Sequence, residues 1–482
     1  MTDFRPVLQI VGVILCLLAA AMALPALADL IAANDEWQVF VLSGGATLFA
    51  GLGLMLGTRT DFRVLTVRQT YLAAALGWLA PCLFAALPLA SGPAHLSTVD
   101  AIFEATSGLT TTASTVISGL ERMPPGLLLW RGLLNWMGGI GIIVMAVAVL
   151  PTLHIGGMQI FRVQGLGAGE PASPRTARLG RTILGVYVSL TVGLWAALWL
   201  AGMPRFDAAI HAMSTISTGG FGTKDMSLGA YNNSMIDLIA CIGMVLGGIP
   251  YLLFPLMAQG QWRAILRDQQ VRWYLGLMGL GAAAVVLWLM VARGFEPLTA
   301  MRHGVFTVVS VMTGTGLVTI DYSDWTGLPA AILFFLTFVG GCAGSAAAGI
   351  KVFRLKLLFA NARVQLHRLL RPHGIEIPTF NKKPISEDVL ESAMGFLFVY
   401  VLGFAVLSML LGFMGLDFIT SVSGAASAIS NLGPGLGETI GPGSTFAPLP
   451  DMAKLLLAGG MLFGRLEMFI LLVLVVPSFW DQ

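Results

Sequence analysis

The chain has 482 residues, 56% of them hydrophobic and only 11% charged. A soluble protein carries about a quarter charged residues, so this composition excludes a soluble fold and marks an integral membrane protein. The formal net charge of +2 points to no partner, nucleic acid included, because the basic residues are segregated along the chain rather than spread over it.

A helix needs about 20 apolar residues to cross a bilayer. Two such stretches open the chain, at 7–32 and 36–57. The first, Val7 to about Leu30, is longer than the apolar part of a typical signal peptide. It runs toward the second without a convincing cleavage site, so a transmembrane helix is expected there. Four pairs follow: 69–90 with 125–150, 178–202 with 232–257, 273–293 with 326–357, and 389–413 with 452–478.

Inside each pair lies a segment too short to span: Asp100 to Ser107, Asp207 to Ile216, Leu298 to Met312 and Asp417 to Ile429. Asp100, Asp207 and Asp417 stand where these half-helices begin, and a carboxylate there is expected to cap free backbone N–H groups. Each segment runs into a short Gly- and Thr-rich string: TTTAS at Thr110 to Ser114, STGGF at Ser217 to Phe221, TGTGL at Thr313 to Leu317, NLGPG at Asn431 to Gly435. The strings recur roughly every hundred residues, too far apart for a solenoid and suited to a helix, re-entrant loop, helix unit.

Aligned on the residue after the Thr or its substitute, the strings make Ala113, Gly220, Gly316 and Gly433 equivalent. A cation stripped of water needs several backbone carbonyls aimed at one axis, which only a permissive backbone supplies. Non-helical backbone at membrane depth must be buried in protein or line a water-filled cavity. Close helix packing is the other use of small residues; four strings in register after four half-helices favour a pore. The expected cation-binding residues are Thr111, Thr112, Thr218, Gly219, Gly220, Thr315, Gly316, Asn431, Leu432 and Gly433.

The expected fold is an all-α integral membrane protein of ten transmembrane helices, with four pseudo-symmetric helix, pore-loop, helix units around a central pore and two extra N-terminal helices. The divisions are 1–60, the N-terminal two-helix domain; 61–160, 161–262, 263–380 and 381–482, pore units one to four. Arg59, Arg63 and Arg68, then Arg162, Arg175, Arg178 and Arg181, then Arg263, Arg267 and Arg272 fill successive inter-pair loops. Lys351, Arg354, Lys356, Arg363, Arg368, Arg371, Lys382 and Lys383 fill the last. The positive-inside rule makes all four loops and both termini cytoplasmic and turns the filter outward.

Gly340 to Ile350 is a run of small residues within the third inner span, and Gly340, Gly341, Gly344 and Gly349 can let that helix break. A packing groove is the alternative. Lys351 follows directly, either as a charge near the inner vestibule or as an interface anchor. Arg465 lies near the middle of the last span, where a charge faces a bundle interior or water unless it snorkels. Glu467 and Glu438 are its candidate partners, although residues two apart on a helix do not face each other. Asn431 is a candidate to brace its loop by side-chain hydrogen bonding, and Glu438 to enrich cations at the mouth.

Cys16, Cys82, Cys241 and Cys342 lie in apolar segments without metal or disulfide spacing and read as packing residues. GLGAG at Gly165 to Gly169 has no preceding strand and reads as a loop. No nucleophile with a base, carboxylate pair or metal cluster stands outside the spans, so no enzyme activity is expected.

The chain resembles the TrkH and KtrB family of potassium uptake proteins. The resemblance rests on FEATSGLTTT at Phe103 to Thr112, NWMGGIGIIVMAVAVLP at Asn135 to Pro151, GGMQIFR at Gly156 to Arg162 and STISTGGFGT at Ser214 to Thr223. It continues through GGCAGSAAAGIKVFR at Gly340 to Arg354, NLGPGLGE at Asn431 to Glu438 and GRLE at Gly464 to Glu467. The two extra N-terminal helices favour the TrkH branch.

The resemblance implies potassium uptake across a bacterial inner membrane, with K+ as the transported ion, carbonyls of four loops as filter, and no organic cofactor. It also implies an intramembrane gate at 340–350, an arginine below the filter at Arg465, and a homodimer. A cytosolic nucleotide-binding TrkA-like subunit would dock on the basic loops at 162–181 and 351–383; membrane lipids of negative charge are the other reading of those loops. Sodium- or proton-coupled symport is the alternative to channel-like flow.

Two departures stand out. Ala113 replaces the family's glycine, so this loop either uses a different backbone angle or accepts strain; the alanine is either simply tolerated or weakens potassium selectivity, since relatives with a non-glycine residue in the first loop resemble sodium-permeable transporters. Ala346, Ala347 and Ala348 replace a Thr- and Gly-rich stretch, which predicts a stiffer or more helical gate.

Overall fold

The computed structural model describes residues 3–59, 65–146, 157–158, 174–371, 377–381 and 383–480. Arg63, Arg162, Lys382 and the string at 165–169 lie outside them.

Two long helices, α1 (Arg5–Ile31) and α2 (Trp37–Gly57), pack along each other and lead to the first unit, α3 (Val67–Ala85), α4 (Leu87–Ser91), α5 (Thr98–Leu109) and α6 (Pro125–Val144). Asp29 near the end of α1 is buried, and its Oδ1 accepts the Gly126 amide of α6 at 2.6 Å, which ties the leading pair to the first unit.

The second unit is α7 (Pro174–Leu200), α8 (Arg205–Ile216), α9 (Ser234–Gly247) and α10 (Phe254–Ala258). The third is α11 (Arg263–Arg267), α12 (Gln269–Ala292), α13 (Pro297–Thr313), α14 (Leu328–Val339) and α15 (Val352–Leu370). The fourth is α16 (Glu387–Phe413), α17 (Phe418–Ser430), α18 (Asp451–Arg465) and α19 (Phe469–Val475). A two-residue antiparallel pair, β1 (Thr379–Phe380) with β2 (Lys383–Pro384), is a small exception to the all-α expectation.

Seven described helices are long and apolar enough to cross a membrane, or nine if each of two bent pairs is one span. Their exposed faces are greasy: Leu17, Phe49, Leu280 and Phe398 stand out from α1, α2, α12 and α16. The four short helices α5, α8, α13 and α17 are instead enclosed, and hydroxyls such as Ser107, Thr215, Ser310 and Ser427 are buried at their C-terminal ends. Such an inside-out distribution is what lipid as outer solvent requires.

Two inner spans expected to be continuous are not. The segment expected at 232–257 stops at Gly247 and turns by 92° into Tyr251–Ala258. Pro250 lacks a donor and pushes Ile249 out of helical geometry, so the ladder breaks there. The segment expected at 452–478 turns by 109° between Arg465 and Phe469, through Glu467 at φ +55° and Met468 at φ +23°. No glycine or proline stands at that break; buried ion pairs described below hold it.

The capping expectation holds for one of three acids. Asp417 is the N-cap of α17 and accepts the Thr420 amide at 3.0 Å. Hydrogen bonding from the Thr420 side chain, and then from its amide, holds the Asp417 carboxyl below the usual carboxylate range. The cap of α5 is Ser97, leaving Asp100 to pair with Lys454 at 2.6 Å. α8 begins after Pro204, and Asp207 accepts the Tyr231 hydroxyl at 2.7 Å. A proline before the first turn and a nearby cationic or hydroxyl donor displaced the carboxylates from capping.

Candidate functional site

All four short helices end the same way. The amides of Thr112, Gly219, Thr315 and Leu432 bond back five residues to the carbonyls of Ser107, Ser214, Ser310 and Ser427, at 2.8, 2.7, 2.9 and 3.0 Å. One residue earlier, the amides of Thr111, Thr218, Gly314 and Asn431 bond back three residues to Gly108, Thr215, Val311 and Ala428. This double closure of orphan carbonyls by a left-handed residue is the Schellman ending. The left-handed residues are Thr111 (φ +53°), Thr218 (φ +52°), Gly314 (φ +69°) and Asn431 (φ +52°). Composition does not signal them, because only one is glycine.

Two residues further on the backbone turns left-handed again, at Ala113 (φ +64°), Gly220 (φ +88°), Gly316 (φ +75°) and Gly433 (φ +112°). These are the four positions aligned from the sequence. Ala113 adopts the same hand as the glycines, so the departure is met by strain of roughly 1–2 kcal/mol rather than by a different backbone.

The loops close into a ring. A Cβ built on Gly220 would overlap the Thr315 carbonyl oxygen, one on Gly316 the Leu432 oxygen, and one on Gly433 would stand 2.6 Å from the Thr112 oxygen. Second loop thus abuts third, third abuts fourth, and fourth abuts first. The same Cβ on Gly220 would lie 2.8 Å from Ala113 Cβ, which joins second to first.

First and third loops share a further device. The Thr110 and Thr112 hydroxyls meet at 2.8 Å, and those of Thr313 and Thr315 at 2.7 Å. In the fourth loop the Asn431 amide donates to Thr112 Oγ1 and to the Met461 carbonyl, both at 2.9 Å, the bracing expected of it. The candidate filter residues Thr111, Thr112, Thr218, Gly219, Gly220, Thr315, Gly316, Asn431, Leu432 and Gly433 are therefore brought together.

Inner helices press directly beneath. A Cβ on Gly138 of α6 would overlap the Leu109 carbonyl, one on Gly464 of α18 the Ile429 carbonyl, and one on Gly247 of α9 would lie 2.9 Å from the Ile216 oxygen. Leu109, Ile216 and Ile429 each stand four residues before the second left-handed position.

The third unit differs, because its inner helix leaves its axis at Gly340 and resumes at Val352. The excursion closes at its base, where Ile350 and Lys351 donate to the carbonyls of Phe338 and Val339 at 2.9 and 3.0 Å. Gly340, Gly344 and Gly349 are left-handed (φ +71°, +78° and +82°), and a Cβ on Gly341 would lie 2.6 Å from Ala347 Cβ. Ala346, Ala347 and Ala348 form no helix, contrary to the more helical gate expected. The cause is docking: Cys342 and Ala346 donate to the carbonyls of Gly248 and Gly247, and Tyr251 donates to that of Gly344. The broken end of α9 thus supplies partners that an α-helix would have supplied to itself.

Arg465 reaches the same loop, with Nη1 donating to the Ala346 carbonyl at 3.1 Å; its Nε and Nη2 are buried with no hydrogen-bond partner among the described residues. Neither Glu467 nor Glu438 pairs with it. Glu467 binds Lys351 at 3.2 Å and Arg354 at 2.5 Å, all three buried. Lys351 (φ +73°) is 3% exposed, so it is not an interface anchor. Glu438 is exposed near the loops.

Sequence reasoning missed Glu104, whose Oε1 pairs with buried Arg131 at 2.9 Å. Arg131 also donates to the Gly222 carbonyl at 3.1 Å and lies 4.1 Å from the Phe221 ring centre, clamping the second loop to the first unit. FEATSG carried that glutamate in plain view, and a charged residue inside an apolar half-helix is itself a signal.

A family model described as a cation transport protein, TrkH, matches residues 37–482. The Trk system potassium uptake protein TrkI of Halomonas elongata is 40% identical over 480 residues, covering 99% of this chain and 97% of the relative. TrkH of Salmonella typhimurium is 36% identical, covering 99% and 100%. The crystal structure of the potassium transporter TrkH from Vibrio parahaemolyticus aligns with a TM-score of 0.92 at 34% identity, covering 99% of this chain and all of that one.

Proposed function

The chain belongs to the TrkH family of cation transport proteins, and from that premise we propose that it carries potassium into the cell through a pore lined by the four ring-forming loops. The observation that carries this reading is the fourfold recurrence of two left-handed residues, two apart, at four half-helix C-termini that abut in a ring. Alternating hand turns successive carbonyls toward one side, and a ring of carbonyls replaces the water of a cation. The negative ends of four helix dipoles point the same way.

In this reading α14 and α15 are two halves of one inner span, making ten spans, with the sequence divisions given above as the N-terminal pair and four pore units. The excursion at 340–350 is the gate, and Arg465 is the charge beneath the filter. The protein sits in the bacterial inner membrane as a homodimer with both termini cytoplasmic. A TrkA-like nucleotide-binding subunit acts on the gate from the cytoplasmic loops.

Channel-like flow is favoured over coupled symport because each buried carboxylate among the described residues already has a donor: Asp29 the Gly126 amide, Glu104 Arg131, Asp237 Arg302, Asp268 the Gln270 amide, Glu467 Lys351 and Arg354. A second reading, sodium permeability, is supported by Ala113, the only non-glycine of the four second left-handed positions.

Flux into liposomes holding the purified chain, at imposed voltage, tests these readings. Passive potassium entry that outcompetes sodium supports the channel-like pore. Equal sodium entry supports the sodium-permeable reading, and potassium entry only with a sodium or proton gradient supports symport.

A further inference from the structure

The loops and the segments that follow them form a cavity of about 340 Å³, lined by Ala113, Gly220, Gly316 and Pro434 among others. Three charged side chains line it: Arg131, Lys224 and Asp225. Arg131 is neutralised by Glu104 at 2.9 Å. Asp225 is fixed by two amides, Gly119 at 2.7 Å and Leu120 at 2.9 Å. The Lys224 side chain is half-buried and has no ion pair or hydrogen bond with any described residue.

With no partner among the described residues, the Lys224 charge is left to act on whatever ion occupies the cavity it lines. We propose that Lys224 sets the cation occupancy of the pore mouth: its ammonium repels incoming cations and raises the potassium concentration needed for half-maximal uptake. This rests on the four loops being the cation path.

The size of the effect follows from Coulomb's law. A unit charge about 8 Å from an ion, in a water-filled mouth, changes local cation concentration roughly two- to threefold. The interaction is strongest at low ionic strength and falls to roughly half at about 0.1 M salt, where the Debye length is about 10 Å. A charged mouth therefore acts on occupancy and not on the later passage of the ion.

The test is potassium uptake by the full chain in cells lacking other potassium uptake systems, with the amount of protein in the membrane measured for each variant. Lys224→Gln is expected to lower the apparent KM roughly two- to threefold, and Lys224→Glu roughly four- to ninefold, at low ionic strength with unchanged maximal rate. Lys224→Arg keeps the unmodified KM. Adding about 0.1 M choline chloride shrinks these differences. An unchanged KM in both variants, or a change that salt leaves untouched, overturns the role of Lys224 alone. No potassium uptake by the unmodified chain overturns the pore reading and this inference with it.

Discussion

The side-chain amide of Asn431 donates to the hydroxyl of Thr112 at 2.9 Å, joining the last loop of the ring to the first across 319 residues of sequence. Asn431 is also left-handed, at φ +52°. One residue thus holds both a backbone turn and the seam between the terminal units.

Replacing it separates those two roles. Asn431→Ala loses two hydrogen bonds, worth about 0.5–1.5 kcal/mol each, and puts alanine in a left-handed position at roughly 1–2 kcal/mol. A loss of about 2–5 kcal/mol is expected, with a lower potassium to sodium uptake ratio. Asn431→Gly keeps the backbone and loses only the bonds, so it is milder. Thermal unfolding in detergent and paired ion uptake measure both; equal effects of the two variants would count against the backbone role.

Ala113 is the strained member of the ring, and Ala113→Gly relieves it. The expected outcome is a modest gain in thermal stability, on the order of 1 kcal/mol, together with a higher potassium to sodium uptake ratio. An unchanged ratio would show that selectivity does not depend on this position.

Glu104 and Arg131 are a fully enclosed pair. Removing one partner leaves a buried charge, so Glu104→Gln is expected to cost about 3–5 kcal/mol and loosen the second loop. A double change, Glu104→Leu with Arg131→Met, is expected to cost less than the single one because no lone charge remains. A double variant no more stable than the single one argues that the Gly222 and Phe221 contacts of Arg131 dominate.

Glu467 draws Lys351 and Arg354 to the exit of the 340–350 excursion. Glu467→Gln leaves both cations short of their carboxylate and loosens that end of the loop. Faster potassium leak from liposomes without any partner protein is the expected result. Lys351→Met is expected to act in the same direction, and leak at the unmodified rate in both would remove the excursion as the barrier.

How much of this was legible in the sequence divides by range. The four half-helices and the second left-handed position of each loop are local, and the glycines at 220, 316 and 433 advertise them. The first left-handed position is hidden because Thr111, Thr218 and Asn431 carry it without glycine, forced by the Schellman ending. The break after Gly247 had its signal in Gly248 and Pro250. The break at Glu467 had none, because what stabilises it is a pair of cations 113 and 116 residues earlier in the chain. Likewise, the alanines at 346–348 argued locally for a helix and lost to hydrogen bonds offered by the open end of α9.

A pore assembled from four identical subunits receives any substitution four times over, so its filter either keeps its chemistry or changes on every side at once. In this chain the ring is written as four separate strings, and the alanine at 113 alters one quarter of the circumference while Gly220, Gly316 and Gly433 keep the rest. With that ring as the proposed ion path, ion preference becomes adjustable in small steps, one quadrant at a time.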